Sequence, residues 1–162
     1  MQYLYAPWRS EYFEKEKSVC PFCDCANKIK GDEELGVIFR AKYCFGVMNR
    51  YPYSAGHFMV IPYTHEEHIE NLSDEIWQEM SHFVRLGVKI LKEQIHASGV
   101  NIGMNLSQDA GAGIASHCHY HLVPRWAGDT NFITTIGETR VCGVNIEQVY
   151  QKLVLAFQNA KS

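Results

Sequence analysis

A chain of 162 residues, 46% hydrophobic and 20% charged, has the make-up of one soluble globular domain with a real core. Its formal net charge of −3 argues against a broad basic surface for nucleic acid and against a polybasic membrane anchor, while leaving room for a small anionic ligand held by local donors. No apolar run approaches the roughly 20 residues of a membrane helix, and the stretch from Met1 to Tyr12, aromatic and mixed in charge, is unlike a signal peptide; a cytoplasmic protein is expected.

No repeat, low-complexity stretch or linker divides the chain. Residues 1–34 read as an irregular, polar arm, residues 35–126 as the core of a single domain, and residues 127–162 as a C-terminal extension ending in a helix. The arm holds Cys20, Cys23 and Cys25, half of the six cysteines, while Cys44, Cys118 and Cys142 are scattered. Asp32-Glu33-Glu34 reads as a solvated turn. Leu35 to Arg40 and Tyr43 to Met48 are aliphatic and aromatic enough for two strands. A turn or loop at residues 51–56 leads into a third strand, His57 to Pro62. Leu72-Ser73-Asp74 has the form of a helix start. From Asp74 to His96 the apolar residues then follow helical spacing, with Trp77, Met80 and Phe83 as core positions. Val100 to Leu106 and Ser116 to Pro124 read as strands flanking a small-residue loop, 107–115, that contains Gly111 and Gly113. Ile146 to Ala160 is a closing helix. Short strands around one long helix predict an α+β fold, an antiparallel sheet with helices on one side.

Two clusters carry chemistry. In a cytosolic chain, Cys20-Pro21-Phe22-Cys23 reads as a metal or redox site rather than a disulfide. The second cluster is Ser116-His117-Cys118-His119-Tyr120-His121-Leu122. Side chains on a strand alternate between faces, so three histidines at every second position point the same way, about 6–7 Å apart. Cys118, Tyr120 and Leu122 turn to the other face, which is free to be core. A row of imidazoles serves either catalysis or metal binding. The glycines of Asn105-Leu106-Ser107-Gln108-Asp109-Ala110-Gly111-Ala112-Gly113, feeding straight into the histidines, would let backbone N–H groups approach an anion.

His-Cys-His-Tyr-His-Leu-Val at residues 117–123 resembles the signature of the histidine triad (HIT) family, and the likeness extends over most of the chain. Asn49 to Pro62 resembles the family's upstream nucleoside-binding segment. Val123 to Phe132, with Leu4 to Arg9, resembles the branch related to diadenosine tetraphosphate phosphorylases. The resemblance implies a HIT-like fold of about five antiparallel strands with one long central helix and a C-terminal helix. It also implies transfer or hydrolysis of nucleotides at the α-phosphate, with His119 as nucleophile and His117 and His121 contacting phosphate oxygens or assisting departure. It carries His57 over as a support to the triad, and Asn49 and Asn105 as ribose or phosphate contacts. Gly111 and Gly113 become phosphate-facing backbone. Many triad hydrolases have a glutamine four residues before the first histidine; here Gly113 stands there, leaving room beside the phosphate for inorganic phosphate as acceptor.

In zinc-bearing relatives the Cys-x-x-Cys pair is completed by a histidine after the third strand and by the first triad histidine. The likeness thus implies a structural zinc on Cys20, Cys23, His65 and His117, with Cys25 and His68 as substitutes. Glu66 and Glu67 sit next to that set, though exposure is the simpler reading for them. Arg125 and Trp126 either line the substrate mouth or pack at a subunit interface. By analogy the protein is expected to be a homodimer that binds a nucleotide substrate, while the charge and the lack of a long apolar run predict no nucleic-acid and no membrane partner. A phosphoramidate hydrolase and a non-catalytic nucleotide binder are the competing functions.

Overall fold

The computed structural model describes residues 20–28, 30–137 and 144–160. Leu4 to Arg9 and Cys142 lie outside them. Where an irregular arm is expected, two short helices form: α1, Pro21–Asn27, and α2, Asp32–Leu35. Proline in the first turn of α1 suits a position whose N–H has no partner in the helix. The acidic run is therefore helical rather than a loose turn, and Asp32 is tied to Arg40 at 2.8 Å.

Five antiparallel strands follow: β1, Val37–Arg40; β2, Cys44–Met48; β3, Phe58–Pro62; β4, Gly99–Gly103; and β5, Tyr120–Arg125, in the order β1-β2-β3-β5-β4. The long helix α3, Asp74–Gln94, crosses from β3 to β4, and Ser73 caps its start by accepting the Ile76 N–H. A short α4, Phe132–Ile136, is absent from the sequence expectation, whereas α5 spans Ile146–Ala160 as expected. None of the described helices is long and apolar enough to cross a membrane.

Helices pack on both sheet faces, not one. On the first face Ile38, Phe39, Phe58, Val60 and Leu122 pack under α3 and α5. On the second, Val37, Phe45, Val47, Met59 and Ile61 pack under Phe22 and Cys25 of α1. Alternate residues of β3 thus serve two cores, which is why the whole strand is buried. The register between β1 and β2 shifts by one residue between Val37 and Phe39. This bulge sets Ile38 and Phe39 on the same face. Phe39 then stacks on Phe83 at 4.4 Å and lies 4.6 Å from Phe157, while Arg40 turns to the second face.

α3 lies tight against the sheet at Gly87. A Cβ there would lie 2.6 Å from the Phe58 ring and 2.9 Å from Leu122 Cδ2, both fully buried. Gly87→Ala is therefore expected to lower stability by about 1–3 kcal/mol from overpacking, outweighing a helix-propensity gain of up to about 1 kcal/mol. A urea midpoint equal to or above wild type would contradict this close approach.

Candidate active site

His121 lies at the start of β5 and His119 just before it, and His57 precedes β3. The chain turns into His57 at Gly56, whose φ of 83° is in the left-handed region and whose missing Cβ would lie 2.7 Å from Ile95 Cδ1. Across the sheet His121 is paired with Met59 on one side and Gly103 on the other. Met59 belongs to the core covered by α1, so the histidines share the α1 face. Over β4 that face is open among the described residues: Gly103 is exposed and none of them lies within 4 Å of where its Cβ would be.

The expected strand from Ser116 begins only at Tyr120. Backbone groups just before it are engaged elsewhere. The Cys118 N–H donates to the Glu66 carbonyl at 2.7 Å, and the His117 carbonyl accepts from His119 Nδ1 at 2.8 Å. A carbonyl cannot donate, so His119 carries its proton on Nδ1 and presents a lone pair at Nε2.

The remaining tautomers follow from fixed partners in the same way. The Tyr53 N–H donates to His57 Nδ1 at 3.1 Å, so the proton of neutral His57 is on Nε2. That proton is given to His121 Nδ1 at 2.9 Å, which leaves His121 an N–H donor at Nε2. The rings of His119 and His121 are 4.7 Å apart. One therefore offers a lone pair and its neighbour a proton. Burial keeps the imidazoles neutral: desolvation first, then the neighbouring histidines, lower His57 to about 3 and His121 to about 4. Desolvation lowers His119 as well, against the opposing bond to the His117 carbonyl.

His117 differs from the other two. It is fully buried, and its Nε2–H donates to the Pro62 carbonyl at 2.9 Å. Its Nδ1 lone pair faces Cys20 Sγ at 3.5 Å and Cys23 Sγ at 3.7 Å. Cys23 Sγ is also 3.1 Å from His65 Nδ1. Donor atoms of Cys20, Cys23, His65 and His117 all lie within 4.8 Å of one another, a group able to hold one metal ion. Both ring nitrogens of His117 are thus engaged away from the open face. Neither Cys25, buried in the α1 core, nor His68, 3.9 Å from Glu70, joins the group. The half-buried Glu66 accepts the His68 N–H with its carboxylate.

Asn49 borders the site, its amide nitrogen 3.4 Å from His57 Nε2 and its oxygen accepting the Tyr51 N–H. Asn105 is half-buried beyond β4, and Gly113 is exposed. Gly111 has a φ of 87°, but its N–H donates to the Gln108 carbonyl and is occupied within the loop. Arg125 is held by Asp129 and Asn101, and Trp126 donates its indole N–H to the Ile95 carbonyl. Sequence reasoning missed the Tyr53 amide and the Pro62 carbonyl, because main-chain partners leave no residue-type signal. It also missed Phe22, which lies between the two cysteines.

With this geometry in view, comparison with known proteins places the chain. The HIT domain model matches residues 30–128, and the chain belongs to the histidine triad family. It is 36% identical over 151 residues to a Mycobacterium tuberculosis protein named AP-4-A phosphorylase, covering 87% of this chain and 76% of that one. A Saccharomyces cerevisiae protein named bis(5'-adenosyl)-triphosphatase is 27% identical over 93 residues, 56% of this chain and 44% of its own length. Among solved structures, a zinc-bound histidine triad family protein from Mycobacterium smegmatis aligns with a TM-score of 0.70 and 26% identity, over 88% of this chain and 95% of that one.

The lowered histidines make stability pH-dependent. Because the folded values lie below the ordinary 6.5, the unfolded chain takes up protons first as pH falls. Stability is full above about pH 6.5 and declines toward pH 4. Melting temperatures across this range are expected to fall less steeply in His57→Gln than in wild type; parallel curves would refute the assignment to His57.

Proposed function

We propose that this chain is a nucleotidyl hydrolase or transferase that cleaves a dinucleoside polyphosphate, such as diadenosine tetraphosphate, at an α-phosphate through His119. The observation that carries this reading is the 2.8 Å bond from His119 Nδ1–H to the His117 carbonyl, which leaves Nε2 free to attack beside the His121 N–H. The His119 Nε2 lone pair forms the P–N bond as the bridging P–O bond breaks, and the electron pair leaves with the departing nucleotide. Charge developing on the imidazole is stabilised by the His117 carbonyl, and His121 Nε2–H donates to a phosphate or bridging oxygen. Asn49 and Asn105 are assigned to ribose or phosphate. With diadenosine tetraphosphate, adenylate is held on His119 and ATP leaves. Attack by phosphate then yields ADP, and attack by water yields AMP. Gly113, where many triad hydrolases have glutamine, favours phosphate, in keeping with the named activity of the M. tuberculosis relative.

Zinc fits the Cys20, Cys23, His65 and His117 set. Ligand distances of about 2.3 Å to sulfur and 2.0 Å to nitrogen put tetrahedral sulfur–nitrogen edges at about 3.5 Å; here they are 3.1, 3.5 and 3.7 Å. The Pro62 carbonyl fixes the tautomer of His117 as an outer partner does for a metal-bound imidazole. Four protein ligands leave no open position, so the ion pins α1 and His117 to the sheet. The reading includes a cytoplasmic homodimer, supported by the exposed edge strand β4 with Ile102 on it.

Incubation with diadenosine tetraphosphate, with and without inorganic phosphate, tests the reaction. ADP formed only with phosphate is the expected product, and AMP without phosphate would assign the hydrolase instead. His119→Ala is expected to lose about 10⁴-fold or more in kcat while still binding nucleotide, and undiminished turnover would remove the nucleophile. Elemental analysis is expected to find about one zinc per chain, lost in the Cys20→Ser/Cys23→Ser double variant. A folded, metal-free wild-type protein would reject the zinc assignment.

A further inference from the structure

We infer that Phe22 is a positioning residue for His119, coupling the metal-binding helix to the nucleophile; this rests on the reading of His119 above. Phe22 lies between Cys20 and Cys23, yet its ring belongs to the core rather than the donor group. It is 6% exposed and meets two imidazoles edge-on: His117 at 5.5 Å and 87°, and His119 at 4.8 Å and 64°. The His119 ring thus has Phe22 on one side and His121 on another.

α1 is held at both ends. Its start carries the two thiols that face His65 and His117. Its C-terminal end is gripped by Arg40, which donates to the carbonyls of Cys25, Ala26 and Lys28 while Asp32 holds the guanidinium. A cation on the last carbonyls of a helix is favourably placed, and the bulge in β1 aims Arg40 at this face. Phe22 is therefore a fixed wall rather than a mobile side chain.

A wall is needed because the ring torsion of histidine is broad and roughly two-fold. Turning the His119 imidazole over would exchange the positions of its nitrogen and carbon atoms. Its Nδ1–H would lose the His117 carbonyl and Nε2 would leave the open face. The hydrogen bond opposes this turn, and an aromatic edge packed against the ring removes the space for it.

Phe22→Ala tests the inference. The variant is expected to retain one metal per chain and a KM within about twofold of wild type, and to lose about 100-fold in kcat, the scale on which small misplacement of a reacting group acts. Long-range ¹H–¹⁵N spectra of ligand-free protein provide the readout besides activity. Wild-type His119 should show a single Nδ1-protonated tautomer, and Phe22→Ala a mixture or an exchange-broadened ring. Phe22→Leu, which keeps most of the apolar volume, should recover most of kcat. An unchanged His119 signal with unchanged kcat in Phe22→Ala overturns the proposal, and so does loss of the metal together with kcat, which would put the effect at the thiols. If Phe22→Ala does not fold, Phe22→Val, which removes the ring edge but leaves a smaller apolar group than leucine, decides: a His119 signal and kcat identical to wild type overturn the proposal, and a broadened His119 signal with reduced kcat supports it. Full turnover in His119→Ala would instead sink the nucleophile itself, a distinguishable failure.

Discussion

The carbonyl of His117 is the group on which the rest of the site depends. In a regular strand it would point across to a neighbouring strand and join the ladder. Here pairing of β5 with β3 begins at Tyr120 opposite Val60, so the carbonyl remains available to the side chain two residues on. The adjacent Cys118 N–H is drawn away to Glu66. Neither backbone group is left unpaired in a buried setting, because each has a partner outside the sheet. The shortened strand follows from this exchange, in which ladder bonds give way to a fixed imidazole tautomer.

That arrangement explains why the metal-donor group and the triad share a residue. The ring of His117 reaches the thiols on one side and Pro62 on the other, while its backbone reaches His119. Fixing the ring fixes the peptide that carries the carbonyl. The segment after β3 is brought to the same place twice, by His65 in the donor group and by the Glu66 carbonyl on Cys118. Arg40 and Asp32 anchor the far end of α1, so this face of the sheet is tied down by side chains where it borders the histidines and, among the described residues, open over β4.

Most of the framework was legible in the sequence, because hydrophobic period reports burial directly. The spacing from Met80 to Leu91 marked the core stripe of α3, and alternation placed Leu122 in the core. Less was legible where polar residues form structure through partners distant in sequence. Pro21–Asn27 and Asp32–Leu35 are too short and polar to show a helical period, and they are held by Arg40 on a strand. The one-sided sheet failed as an expectation for the same reason: the second layer is a seven-residue helix fixed by side-chain contacts rather than a long amphipathic one. Strict alternation also overstated the likeness of the three histidines. His119 and His121 face one another, whereas His117 precedes the paired strand and turns toward the cysteines. The donor set Cys20, Cys23, His65 and His117, suggested by resemblance, is the set the structure brings together.

Burial without charge has a chemical consequence. A protonated imidazole has no lone pair, so an anionic substrate that drew a proton onto His119 would disable it for the nucleophilic role proposed above. Desolvation opposes that protonation, and His57 and His121 stay neutral for the same reason. For the proposed phosphate substrate, polarity would come from direction: the Tyr53 N–H orders His57, and His57 orders His121, so that a donor emerges beside the lone pair of His119. In the proposed reaction, phosphate as acceptor would carry its own negative charge toward the phosphorus and water would not, so the two acceptors would meet the same neutral imidazoles under different electrostatic demands.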